Sequence, residues 1–122
     1  MSDRFFELTT RIMRFVHERD WDKDHDPKSL TLAITGEVGE LAAALQWLSS
    51  DEMVALRVDG NANRAPVQEE MADVLIYLIE LADWLGVDLI DAVNAKVDLN
   101  AENYPVKLSK GNTLKQPGRV FF

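Results

Sequence analysis

The chain contains no cysteine in its 122 residues. That excludes a disulfide, a thiolate zinc site and a cysteine nucleophile. No apolar run is long enough to span a bilayer. The start, Met1-Ser2-Asp3-Arg4, lacks the basic stretch and apolar core of a signal peptide. A cytoplasmic location is therefore expected, with no membrane partner. Positive charge is scarce: 13 Lys and Arg stand against 21 Asp and Glu, a net charge of −8. Binding a nucleic acid polymer requires a basic face, so that class is excluded. A small phosphorylated substrate is not excluded, because metal ions can stand between an acidic site and a polyphosphate. Strand patterns are missing as well.

What is present suits one globular domain: 47% of residues are apolar and 28% charged. The periodicity predicts an all-α fold, a small four-helix bundle with an extra short helix. Phe5, Leu8, Ile12, Phe15 and Val16 recur at helical spacing and predict a first helix over 3–19. Asp26-Pro27 reads as the N-cap and first residue of a second helix reaching about Leu48. Ser49 to Glu52 predicts the cap of a short helix ending near Arg57, and Pro66 opens a third long helix that stops at Gly86. Asp88 caps a fourth helix to about Tyr104, and Pro105 ends it. The expected organisation is a helical domain over 1–105 and a tail over 106–122, loosely ordered or docked on a partner subunit.

Two acidic pairs stand out. Between Ser29 and Ser50 the only charged residues are Glu37 and Glu40; between Met71 and Ile79 the only one is Asp73, which follows Glu70 by three positions. Residues three apart share a helix face. Carboxylates in stretches this apolar are partly buried and need a partner. Four of them on two antiparallel helices suit one or two hard cations, Mg2+ or Mn2+. Di-iron chemistry is disfavoured, because neither His17 nor His25 follows a glutamate by three residues. Glu69, Glu80 and Asp83 read as ordinary surface acids.

Other positions keep two readings. Gly36 and Gly39 each cost roughly 1 kcal/mol relative to alanine inside a helix, which points either to close approach of a backbone or ligand or to tight helix packing. Asn100 falls on the apolar face of the fourth helix with Lys96 at its edge; Asn100 either caps a neighbouring backbone or contacts phosphate or metal-bound water. Tyr77, one turn after Asp73, is a core tyrosine or a site residue. Trp21, His25 and Trp47 offer flat groups for stacking on a base, or pack in the core or at an interface. His17 reads as a surface residue and Trp84 as a core or subunit-contact residue.

Taken together, these residues resemble the MazG-like all-α nucleoside triphosphate pyrophosphohydrolases, closest to the dCTP pyrophosphatase branch. The resemblance runs from about Arg14 to Lys115. It rests on Glu18-Arg19-Asp20-Trp21 with His25 and Pro27, Gly36-Glu37-Val38-Gly39-Glu40-Leu41, Gln46-Trp47, the run Gln68 to Leu78, and Lys96 to Asn100 with Tyr104-Pro105. It implies hydrolysis of a (deoxy)nucleoside triphosphate, dCTP or a modified or non-canonical relative, to monophosphate and pyrophosphate, a housecleaning of the nucleotide pool. It implies Mg2+ held by Glu37, Glu40, Glu70 and Asp73; the mechanism expected on that basis uses one of the glutamates as base, with Glu40 the most sensitive ligand. It implies base and sugar contacts by Trp21, His25, Trp47 and Tyr77, and assembly as a homodimer or homotetramer; on the phosphate reading of Asn100, Lys96 is the natural counter-charge. One departure concerns Ile12, where some dCTP-branch members carry a nucleotide-contacting histidine. The tail from Gln116 to Phe122 also departs from the usual polar ending. Two alternatives accompany this reading: a dUTP or phosphoribosyl-ATP hydrolase of the same fold, and a non-catalytic helical module whose acids are salt-bridged to lysines.

Overall fold

A computed structural model describes residues 3–111. Expectations about the rest of the tail, including Lys115, Arg119 and the Phe121-Phe122 ending, lie outside the described residues. All regular structure among the described residues is helical: α1 Arg4–Glu18, α2 Pro27–Leu45, α3 Ser50–Ala55, α4 Arg64–Leu85, α5 Leu89–Asn103 and α6 Val106–Ser109. The four long helices and the short α3 are those expected. The short α6 lies where only tail was expected.

Local chemistry explains the boundaries. Asp3, Asp26 and Asp88 cap α1, α2 and α5 by accepting from the backbone N–H groups of Phe6, Ser29 and Asp91 at 3.0, 2.8 and 3.0 Å. Pro27 occupies the first turn of α2, where its missing N–H donor costs no intrahelical hydrogen bond. That helix ends at Leu45, short of the expected Leu48, because Ser49 is engaged in a capping box with Glu52 that starts α3. Helix α4 begins at Arg64, two residues before Pro66. Proline is tolerated there because the first N–H groups of a helix have no internal partner. Gly86 closes α4 at φ 69°, a left-handed conformation that glycine adopts without strain. Asp20 takes the same region at φ 54° in the turn after α1.

The chain packs as two compact units, one ending at Gly86 and the other beginning at Val87. In the first, α2 packs along α4, and α1 also contacts α4. Contacts run in opposite senses along α2 and α4. His25, just before α2, meets Glu80; Glu37 meets Asp73 and Glu70; Glu40 meets Glu70. The two helices are therefore antiparallel. Ile12, Val16, Leu30, Ile79 and Ala82 form the buried apolar core. In the second unit, Asn100 is buried and its Oδ1 has no hydrogen-bond partner, while Lys96 is exposed.

One reading of a single residue is corrected. Glu80 is not a surface acid: it is 3% exposed, paired with His25. It lies one turn beyond Tyr77 and Ile76, on the side of α4 turned toward the start of α2. Of the two readings of Trp84, core or subunit contact, its 59% exposure leaves the second. His17 is exposed as expected and pairs with Asp22.

Candidate metal and nucleotide site

The antiparallel pairing of α2 and α4 brings the two acidic pairs together. One oxygen each from Glu37, Glu70 and Asp73 lies within 4.8 Å of the others. Glu40 stands outside this tight group and is linked to it through a hydrogen bond with Glu70. Among the described residues, no Lys, Arg or His forms an ion pair with any of the four. The salt-bridged arrangement required by a non-catalytic module is therefore not what these residues form.

The cluster carries the mark of crowded negative charge. The Glu70 carboxyl is raised to about 7, first by its hydrogen bond with Glu37, then by desolvation, then by Glu40. The Oε2 atoms of Glu37 and Glu70 are buried and have no hydrogen-bond partner. Buried carboxylate oxygens left without donors are hard ligands. The donor set fits a divalent cation of the Mg2+ or Mn2+ type.

Beside the acids lies a cavity of about 460 Å3. Its wall is continuous with the cluster through Asp73. Trp21, His25 and Tyr77 line it. Their rings follow one another: Trp21 and His25 centroids are 6.0 Å apart, His25 and Tyr77 6.3 Å. Phe15 extends the series, edge-on to Trp21 at 5.6 Å, and the Arg19 guanidinium caps the Phe15 ring at 3.6 Å. The Tyr77 hydroxyl is pushed above its usual range by burial and by the charges of Glu37, Glu80 and Asp73.

Ile12, the position of the missing histidine, also lines the cavity. So do Arg11, Phe15 and Glu80, none of which the sequence marks as a site residue. A signal for them existed: Asp73, Tyr77 and Glu80 recur at four- and three-residue steps, and Leu8, Arg11, Ile12 and Phe15 do the same on α1. Trp47 does not join the cavity; it stands 85% exposed after the end of α2. Lys96 and Asn100 belong to the second unit.

Gly36 and Gly39 resolve one alternative. A Cβ at either position would meet nothing within 4 Å. Tight packing against the described residues of the first unit is not the reason for them.

The arrangement is an all-α one: a helical pair carrying a carboxylate cluster beside an aromatic cavity. The MazG-like family matches residues 32–116, and the chain belongs to that family. It is 48% identical to dCTP pyrophosphatase 1 of Mus musculus and 45% identical to that of Homo sapiens, in each case over 101 residues covering 83% of this chain. The chain spans 59% of the length of those relatives. It is 29% identical to a dATP/dGTP diphosphohydrolase of Cyanophage S-2L over 112 residues, 92% of this chain and 88% of that protein. Among solved structures, a pyrophosphatase from Archaeoglobus fulgidus superposes with a TM-score of 0.77 at 38% identity, covering 86% of this chain and 95% of the other.

Proposed function

We propose that this protein hydrolyses a deoxynucleoside triphosphate, dCTP or a modified relative of it, to the monophosphate and pyrophosphate. The observation that carries the proposal is the position of the carboxylate cluster, directly beside an aromatic cavity of nucleoside size. The activities named for the similar mammalian and phage proteins support it.

In this reading Glu37, Glu70 and Asp73 hold Mg2+, assisted by Glu40. When bound, the cation neutralises triphosphate charge and polarises phosphorus toward attack by water. The chain's own groups do the rest. Trp21 and Tyr77 flank the base, His25 contacts its edge, and Phe15 supports Trp21 from behind. In the metal-free cluster the raised Glu70 carboxyl holds a proton up to about pH 7, and cation binding would displace that proton. Trp47, exposed in the single chain, suits a contact made in a homodimer or homotetramer. We place the enzyme in the cytoplasm, acting on free nucleotides and not on polymers, in keeping with its net charge of −8. Lys96 and Asn100 stay outside the proposal.

The test is direct. The protein is incubated with Mg2+ and a panel of ordinary and modified nucleoside triphosphates, and pyrophosphate and orthophosphate are assayed separately. Pyrophosphate release from a cytosine nucleotide is expected. Orthophosphate as the first product, or no release from any triphosphate, overturns the proposal.

A further inference from the structure

Glu80 is a buried acid that the chemistry above does not use. It is 3% exposed, and its single ion-pair partner among the described residues is His25, with Nδ1 to Oε1 at 2.6 Å. A carboxylate so deeply buried persists when it is paired and hydrogen-bonded. Its partner lies far away in sequence and lines the cavity together with it. Two aromatic neighbours hold the ring in line, Trp21 tilted at 41° and Tyr77 edge-on at 63°, and Phe15 packs in turn against Trp21.

The pair settles which ring atom does what. An ionised carboxylate only accepts hydrogen bonds, so Nδ1 of His25 is the donor. A ring with one proton then carries its lone pair on Nε2, the remaining polar atom of a side chain that lines the cavity. We infer that Glu80 is a positioning residue that holds His25 as an acceptor for the exocyclic amino group of a nucleobase. The site thereby prefers amino-bearing bases to their keto counterparts. This inference rests on the nucleotide-hydrolysing reading above. Cytosine and uracil have the same outline and differ at the atom in question, an amine against a carbonyl oxygen. Against the carbonyl, two acceptors face each other and neither is satisfied.

The experiment compares dCTP with dUTP at about pH 8, above the ordinary histidine range, with Mg2+ present. Wild type, Glu80→Met, Glu80→Gln, His25→Ala and the His25→Ala/Glu80→Met double variant are assayed. Wild type is expected to favour dCTP by at least about tenfold in kcat/KM. Glu80→Met loses most of that preference, through KM and not kcat. Glu80→Gln, which retains an acceptor oxygen, falls between the two. His25→Ala loses the preference as well, and the double variant loses no more, because the two residues act as one unit. A folded Glu80→Met or His25→Ala that keeps the wild-type preference overturns the inference, as do losses that multiply in the double variant. A second reading needs no turnover. In 15N spectra of the nucleotide-free protein, the His25 ring is expected as the Nδ1–H tautomer, and the Nε2–H tautomer overturns the inference. If wild type cleaves no triphosphate, the nucleotide reading fails, and the ring spectrum still decides whether Glu80 sets the tautomer.

Discussion

Glu70 on α4 shares a hydrogen bond with Glu37 on α2, and this contact is the leading reason that the Glu70 carboxyl is raised from 4.5 to about 7. Two acids can face each other in this way only while a proton or a cation sits between them.

A pH dependence of known sign follows for the metal-free protein. The folded state holds the Glu70 proton more tightly than the unfolded chain does. Its contribution to stability is full below about pH 4.5 and is lost as the pH rises through about 7. Thermal melts in chelator across that window should show wild type losing ground relative to Glu70→Gln. Mg2+ should restore the loss above pH 7 in wild type and do little in the variant. A pH-independent difference between the two proteins would refute the assignment.

Each acid of the cluster should matter for turnover. Asp73→Asn and Glu40→Gln are expected to lower Mg2+-dependent hydrolysis by more than about 100-fold. Neither residue is part of the apolar core, so the melting temperature in chelator should stay near that of wild type. Isothermal titration with Mg2+ separates lost metal affinity from lost chemistry, and either variant retaining near-normal turnover would count against the site.

The aromatic wall predicts a different kinetic signature. Trp21→Ala removes the ring that lies between Phe15 and His25. Stacking on a base contributes about 1–3 kcal/mol, so KM should rise by roughly tenfold while Mg2+ affinity is preserved. Quenching of Trp21 fluorescence by a non-hydrolysable nucleotide provides an independent check.

Two glycines should respond in opposite directions. Gly86→Ala forces a side chain into φ 69° at the end of α4 and should cost about 1 kcal/mol, or about 4 °C in melting temperature. Gly36→Ala meets open space in mid-helix and should stabilise the single chain by about the same amount. If that stabilised variant also loses activity or changes its sedimentation, a ligand or a second copy of the chain approaches Gly36.

What could be read from the sequence was whatever depends on near neighbours. Asp26-Pro27, Ser49 with Glu52, and Gly86 each mark a helix end through their own backbone preferences, and each does so in the structure. The acidic pairs were legible because charge is conspicuous in an apolar stretch, and the antiparallel helices bring three of the four acids into one group. Glu80 was misread for the converse reason. It sits close to Asp83 and looks like part of a wet face, whereas its partner is 55 positions away. Trp47 and Trp84 carry no local mark that separates a core ring from an exposed one. The start of α4 was placed at Pro66 because proline is a strong sign, but the first turn of a helix tolerates proline at more than one position.

Helix α4 also acts as a ruler. Glu80, which holds His25, and Asp73, which belongs to the carboxylate cluster, are seven residues apart on one helix. Seven residues span about 10.5 Å, two turns that return the side chains to nearly the same face. The distance between the two ends of the site is therefore written in helical register and not in loop length. Substitutions at either end can retune that end alone. A single residue inserted or deleted between 73 and 80 would turn one end by about 100° against the other, and the two halves of the site would no longer address the same molecule.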